Sequence, residues 1–223
     1  MQGPRKGPAA NRNNGAAVAS TDLLVFCDDD CLPEPGLLRA YAAAFESNPT
    51  INVLEGRTSS VGEQFHPLAS APLNEGGGCL WSCNFGIRRP LFLSMGGFDE
   101  RFPFAAMEDS DLHLRLQQRG EKILFVKDAR ILHAWRLGDL KAHWRRHLKS
   151  QMIFLRLHPE EAHRFSVVAY WKGIARYYVK SFIGSGRHYG WSVTLGHQPL
   201  SWWGFLYTSY VLIVRPNPAD MDA

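Results

Sequence analysis

The chain has 223 residues, 45% hydrophobic and 21% charged, with a net charge of +4. That length buries a real core and holds one sizeable domain with an appendage, and the composition excludes a disordered, collagenous or disulfide-stapled chain. The charge is uneven: Ala134 to Gly190 holds 11 Lys and Arg against 3 Asp and Glu, a local +8, so the remainder carries −4, which points to an acidic site and a separate basic surface.

The first fifteen residues, MQGPRKGPAANRNNG, contain no apolar run of the kind a secretory signal needs, so the chain reads as cytoplasmic. GPAANRNNGAAVAS then predicts a helix with Pro8 in its first turn. LLVFC predicts a short apolar strand, and EPGLLRAYAAAF a helix with Leu37, Leu38, Tyr41 and Phe45 on one face. INVLEG is a second strand, a long loop follows from about Thr58 to Gly78, and LWSCNFGIRR is a third strand. EDSDLHLRLQQRG predicts a helix closed by Gly120, and KILFV and ARILHAW two further strands. Strand–helix alternation gives an α/β class with a partly parallel sheet.

Four cysteines form two C-x3-C pairs, Cys27/Cys31 and Cys79/Cys83, a spacing inside the zinc range. A strand ending at Cys27 would hold Cys31 beyond shared-metal distance unless the chain folds back. The four therefore read as buried, reduced thiols.

Three consecutive aspartates, Asp28, Asp29 and Asp30, follow the first strand. In extended backbone Asp28 and Asp30 project to one side and Asp29 to the other. Two carboxylates about 5 Å apart repel by roughly 3 kcal/mol at an effective dielectric near 20. Either full solvation or a hard divalent cation removes that cost, and ligands of open α/β sheets bind beyond the carboxyl ends of strands. A second acidic cluster, Glu108, Asp109 and Asp111, opens the later helix. Acids in a first turn complement the helix dipole, and Asp111 with Arg115 is an i,i+4 pair, a structural role. Glu108 and Asp109 follow a Gly- and Phe-rich loop, and a carboxylate kept ionised there by the dipole suits a general base.

GPAANRNNGAAVASTDLLVFCDDDC, WSCNFGIRRPLFLSMGGFDERF and EDSDLHLRLQQRG, in this order, resemble the family 2 glycosyltransferases of GT-A fold over about Gly7 to His133. The resemblance implies a Rossmann-like mixed sheet flanked by helices. It also implies inverting transfer of a sugar from a nucleoside diphosphate sugar to a hydroxyl acceptor (a sugar, a lipid-linked group or a polysaccharide), with Mn²⁺ or Mg²⁺. By position, Asp28–Asp30 is the D-x-D element, Asp30 and Asp28 facing the metal and Asp28 and Asp29 the donor. Asp109 is the implied base, with Glu108 beside it as the second candidate. His133 falls where the family often supplies a further metal ligand, and Arg12 and Asn13 lie near the donor phosphates or serve in helix packing. Gly97, Phe98, Asp99 and Glu100, within GGFDE, are implied on the acceptor side, and CNFGIRR behind the donor sugar. The family's nucleotide-base-gripping β-α-β segment precedes its D-x-D, which here begins at residue 28. The fold is accordingly expected to be N-terminally truncated, with residues 1–135 a partial catalytic domain.

Residues 136–223 read as a basic, aromatic helical extension. LGDLKAHWRRHLKSQMIFLRLH is a basic amphipathic helix, and Lys172, Arg176 and Lys180 recur at i, i+4, i+8. PLSWWGFLYTSYVLIV is about 24 Å long if helical, short of the ~30 Å hydrocarbon core, which favours an interfacial helix with Trp202, Trp203, Tyr207 and Tyr210 at an anionic membrane surface. Packing on the sheet or on a partner is the other reading of these helices. No nucleic-acid motif is present. Two function classes follow: a metal-dependent glycosyltransferase, and a non-catalytic relative that binds membrane or a partner.

Overall fold

The computed structural model describes residues 3–216 and 218–221, leaving the side chains of 177, 179–181 and 220 outside the description. The chain forms two compact units, Met1–Glu63 with Ala71–Arg136 and Gln64–Ser70 with Leu137–Ala223.

The first unit is a five-stranded mixed sheet. Its elements are α1 (Pro8–Val18), β1 (Leu23–Cys27), β2 (Cys31–Pro33), α2 (Leu37–Ser47), β3 (Val53–Ser60), β4 (Asn84–Arg88), α3 (Arg89–Ser94), α4 (Glu108–Gln118) and β5 (Ile123–His133). The strand order is β1-β4-β3-β5-β2. Only β3 and β5 are parallel; β1–β4, β3–β4 and β2–β5 are antiparallel. With these directions the C-terminal ends of β1, β3 and β5 share one edge of the sheet.

Each face has its own core. Leu24, Phe26, Val53, Phe85 and Ile87 pack with Phe92, Phe98, Leu112 and Leu116 from α3, α4 and the loop between them. Leu54, Ala129 and Ile131 pack on the other face against Leu37, Tyr41 and Phe45 of α2. Period-2 alternation along β1 and β3 assigns neighbouring residues to opposite cores. The α2 stripe is narrower than the sequence suggests: Leu37, Tyr41 and Phe45 are buried at i, i+4, i+8, whereas Leu38 is 67% exposed. One residue off the stripe rotates it about 100° out of the sheet contact.

Two other expectations change. KILFV and ARILHAW form the single strand β5, interrupted by a register shift against Gly56/Arg57. Asn84 repairs that irregularity, donating to the carbonyls of Arg57 (2.9 Å) and Ala129 (3.1 Å) while accepting from the Tyr41 hydroxyl (2.8 Å). Second, the chain does fold back after β1. Asp28 to Cys31 is a turn closed by Cys31 N–H donating to the Asp28 carbonyl (3.2 Å), and β2 then pairs with the end of β5. The extended alternation of the three aspartates is therefore absent, and Cys31 returns to hydrogen-bonding range of Cys27. Cys31 and Cys83 are buried, but Cys27 is exposed and Cys79 half-buried.

The second unit is helical: α5 (Leu140–Leu157), a 3-10 turn at Pro159–Phe165, α6 (Val167–Tyr189), α7 (Trp191–Gly196) and α8 (Gln198–Val214), then a 3-10 turn at Pro218–Met221. Side chains of Asp139 and Ser166 cap α5 and α6 by accepting from Ala142 N–H and Ala169 N–H. Among the described residues, no helix is long and apolar enough to cross a membrane.

Candidate active site

Both acidic motifs meet at the C-terminal edge of the sheet. The turn after β1 supplies Asp28, Asp29 and Asp30, and the end of β5 supplies His133. Arg12 of α1 ties this edge to the N-terminus of α4, its guanidinium bonding Asp28 Oδ1 at 2.6 Å and Glu108 Oε1 at 2.9 Å. The same guanidinium lies 5.6 Å from the centroid of the Phe98 ring. Burial alone lowers the Arg12 pKa, but the two carboxylates outweigh it and raise the value.

The Glu108–Asp109 pair is now oriented. Glu108 points inward, 1% exposed, with Arg12 and the Ser82 hydroxyl (3.5 Å) on Oε1 and no hydrogen-bond partner on buried Oε2. Burial first, then the neighbouring Asp109 charge, push its carboxyl up to about 7 against the pull of Arg12. Asp109 is half-buried and accepts from Ser110 N–H at 2.8 Å. Burial raises its pKa as well, against the lowering by the Ser110 and Ser82 backbone and by Arg12. The dipole-held, fully ionised pair expected at this helix start is thus overridden by desolvation. A carboxylate raised toward neutrality is the stronger proton acceptor.

Asp30 lies 3.6 Å from His133 Nε2 and also pairs with Arg136. His133 is 4% exposed, and its Nδ1 is 2.8 Å from the Ala134 carbonyl. An Nδ1–H donated there leaves the Nε2 lone pair facing Asp30, the orientation in which metal-ligating histidines are held. Asp30, Cys31 and His133 each place one ligand atom within 4.8 Å of the others. The carboxylate suits Mn²⁺ or Mg²⁺, whereas the imidazole and the thiol are softer donors. Asp28 is taken up by Arg12, and Asp29 is exposed.

The GGFDE segment departs from its expected place. Phe98 is 1% exposed and packs with Phe26, Phe85 and Phe92 at centroid distances of 5.5, 6.0 and 5.6 Å. Truncating such a ring costs about 3–5 kcal/mol, so Phe98 and the buried Gly97 are core, not an acceptor-facing surface. Asn13 holds them: its side chain donates to the Phe98 carbonyl (2.8 Å) and to Glu100 (3.1 Å) and accepts from Phe98 N–H (2.9 Å). Gly97 has φ +70, and a Cβ there would stand 2.4 Å from Asn13 Oδ1. Arg115, paired with Asp111 at 2.7 Å, donates to the carbonyls of Met95 and Gly97. Asp99 pairs with Arg101, and Gly96 and Glu100 are the exposed residues of the segment.

Sequence reasoning missed Glu55. This carboxylate, 4% exposed in β3, accepts from Gly78 N–H (2.5 Å), Cys79 N–H (3.1 Å), Leu80 N–H (3.0 Å) and Asn74 Nδ2 (3.0 Å). It shapes the loop that leads to Ser82 and holds Leu80 at φ +47. Met107, immediately before Glu108, is also left-handed at φ 69. Strained non-glycine residues thus lie in both segments that supply Ser82 and Glu108. The available signal was a lone acid inside an apolar strand. Two open grooves of this unit, of about 500 and 400 Å³, are lined by neither Asp30 nor Asp109.

Residues 1–107 match the family described as Glycosyl transferase family 2. The pre-mycofactocin glycosyltransferase of Mycobacterium tuberculosis is 30% identical over 144 residues, covering 57% of this chain and 30% of that protein. The N-acetylglucosaminyl-diphospho-decaprenol L-rhamnosyltransferase of the same organism is 44% identical over 72 residues, 31% of this chain and 23% of that protein. The chain thus spans less than half the length of the curated relatives it matches. Among solved structures, a mannosyltransferase from Pyrobaculum calidifontis in complex with GDP-Man and Mn²⁺ superposes with TM-score 0.54 at 14% identity, over 96% of this chain and 67% of that one. The mixed sheet, the acidic motifs at its edge and these matches agree: residues 1–107 are similar to glycosyl transferase family 2, and the sheet is of GT-A type.

Proposed function

We propose that the first unit transfers a sugar, with inversion, from a nucleoside diphosphate sugar to a hydroxyl acceptor. The observation that carries this reading is Arg12, which brings two acidic motifs 80 positions apart, Asp28 and Glu108, to one sheet edge through contacts of 2.6 and 2.9 Å. A divalent cation held by Asp30 and His133 would neutralise the diphosphate leaving group. Asp109, accessible and raised in pKa, accepts the acceptor's hydroxyl proton as the new glycosidic bond forms. Glu108, fixed inward on Arg12, positions the helix start that carries Asp109. Asp28, turned to Arg12, links the donor-side turn to that base, and Glu100 marks the acceptor side. The donor complex of the mannosyltransferase supports a nucleotide-sugar donor of this kind.

Mn²⁺ titration followed by electron paramagnetic resonance, with a transfer assay across UDP- and GDP-sugars, tests the division of labour. Asp30→Ala removes Mn²⁺ binding. Asp109→Asn keeps Mn²⁺ affinity and abolishes transfer. Equal loss of metal binding in both variants refutes the assignment. A chain that binds neither metal nor nucleotide sugar fits instead the non-catalytic relative.

A further inference from the structure

The second unit leaves both apolar and cationic surface uncovered. On α8, Trp202, Leu206, Tyr210 and Ile213 are 43, 61, 55 and 69% exposed. Their i, i+4, i+8, i+11 spacing makes one stripe. Trp203 and Tyr207, expected at the same surface, are half-buried instead. They stack on each other at 5.1 Å, and Trp203 meets Trp144 of α5 beneath Lys141. On α6, Lys172, Arg176, Ile183 and Arg187 are exposed at i, i+4, i+11, i+15. Lys180 belongs to the same register, but its side chain lies outside the described residues. Trp202 joins the two helices, stacked on Tyr178 of α6 at 5.8 Å. α7 adds Trp191 and Leu195, 48 and 54% exposed.

The charge pattern selects the occupant. Residues 162–219 contain no Asp or Glu and six Lys or Arg. Soluble surfaces intersperse both signs, and a region with one sign only repels a second copy of itself and complements a polyanion. Nucleic acid would satisfy the cations but gives four large apolar side chains on one helix stripe no apolar phase to enter. An anionic bilayer satisfies both. Amphipathic helices with basic residues on one side and Trp, Leu or Phe on the other lie in the headgroup–acyl boundary, and indole and phenol rings favour that depth.

We propose that α6 to α8 dock on an anionic lipid bilayer, with the Trp202–Leu206–Tyr210–Ile213 stripe entering the boundary and Lys172, Arg176 and Arg187 over the headgroups. The surface belongs to the second unit alone, so it stands or falls independently of the transfer reaction assigned to the first.

Co-sedimentation of the full chain with phosphatidylcholine vesicles, with and without about a third phosphatidylglycerol, tests it. Binding is expected with anionic vesicles, weakening as salt rises. Lys172→Glu and Arg176→Glu each weaken partition at least about fivefold, the factor equal to the ~1 kcal/mol that one basic residue contributes near such a surface. Leu206→Ser with Ile213→Ser weakens the binding that survives high salt. The composition and salt dependence of the unsubstituted protein need no variant, so misfolding of a variant cannot mask the result. Wild-type protein remaining in the supernatant at low salt overturns the proposal, as does equal binding to neutral vesicles. A lipid-free dimer dissociated by the Leu206/Ile213 pair would assign the stripe to a second copy, and displacement from vesicles by duplex DNA would assign the cations to nucleic acid; either overturns it.

Discussion

Replacing Arg12 by Met keeps the aliphatic stem of α1 and removes the guanidinium. Two ion pairs go, with opposite consequences. Asp28 is 29% exposed at its side chain, and a part-solvated pair of this kind is worth about 0–1 kcal/mol. Glu108 is 2% exposed at its side chain and, without Arg12, loses its charged partner while keeping the weak 3.5 Å contact to Ser82. An uncompensated buried carboxylate costs about 3–5 kcal/mol, unless it takes up a proton. With Arg12 present the Glu108 carboxyl already stands at about 7, raised by burial, and Arg12 lowers it; without Arg12 it rises further. The folded state of the variant then binds a proton that the unfolded chain, with an ordinary carboxylate near 4.3, has released. Variant stability therefore falls by about 1.4 kcal/mol per pH unit above pH 7, where the wild type has no slope from this group. At pH 5.5 Glu108 is protonated in both proteins and the loss is only about 2–3 kcal/mol, from the part-solvated Asp28 pair and one charged hydrogen bond to Glu108. Urea unfolding at pH 5.5, 7 and 8 measures both values, and adding Glu108→Gln to the variant should restore most of the difference at pH 8. A destabilisation identical at all three pH values, with no rescue, refutes the buried-carboxylate argument.

Three further outcomes are expected. Glu108→Gln should remove the stability that the wild type loses between about pH 4.5 and 7: the folded pKa is raised, so that contribution is complete below 4.5 and disappears through 7, and thermal melts across this range should flatten. Gly56→Ala should destabilise by about 1–3 kcal/mol or more in urea unfolding, because its Cβ would stand 2.4 Å from Asn84 Nδ2, 2.4 Å from Tyr41 Oη and 2.5 Å from the Ala129 carbonyl. Glu55→Leu strands the N–H groups of Gly78, Cys79 and Leu80, so amide exchange across residues 77–82 should accelerate at least tenfold while β1 and β4 stay protected.

Local patterns were legible wherever a residue's partners lie within a few positions. The α2 stripe without Leu38, the acidic first turn of α4, its Gly120 stop and the Asp111–Arg115 pair all follow from helix geometry alone. The acidic motifs were visible because three adjacent aspartates, or an acidic pair at a helix start, stand out without any knowledge of what they touch. What each acid does depended on distant neighbours. Glu108 and Asp109 are adjacent and chemically alike, and only Arg12, 96 residues away from Glu108, decides that Glu108 turns inward. Glu55 has no partner among its strand neighbours in the sequence; a loop 23 to 25 residues later brings it three N–H donors. The three-residue β2 has too few positions to show any period, and it exists because the end of β5 offers it a ladder. Phe98 reads the same in the sequence whether it faces an acceptor or a core; three phenylalanines from other elements bury it. Periodicity and charge determine which elements form and where acids gather, but the protonation and direction of each acid are set by desolvation and by cations that only the tertiary structure brings near.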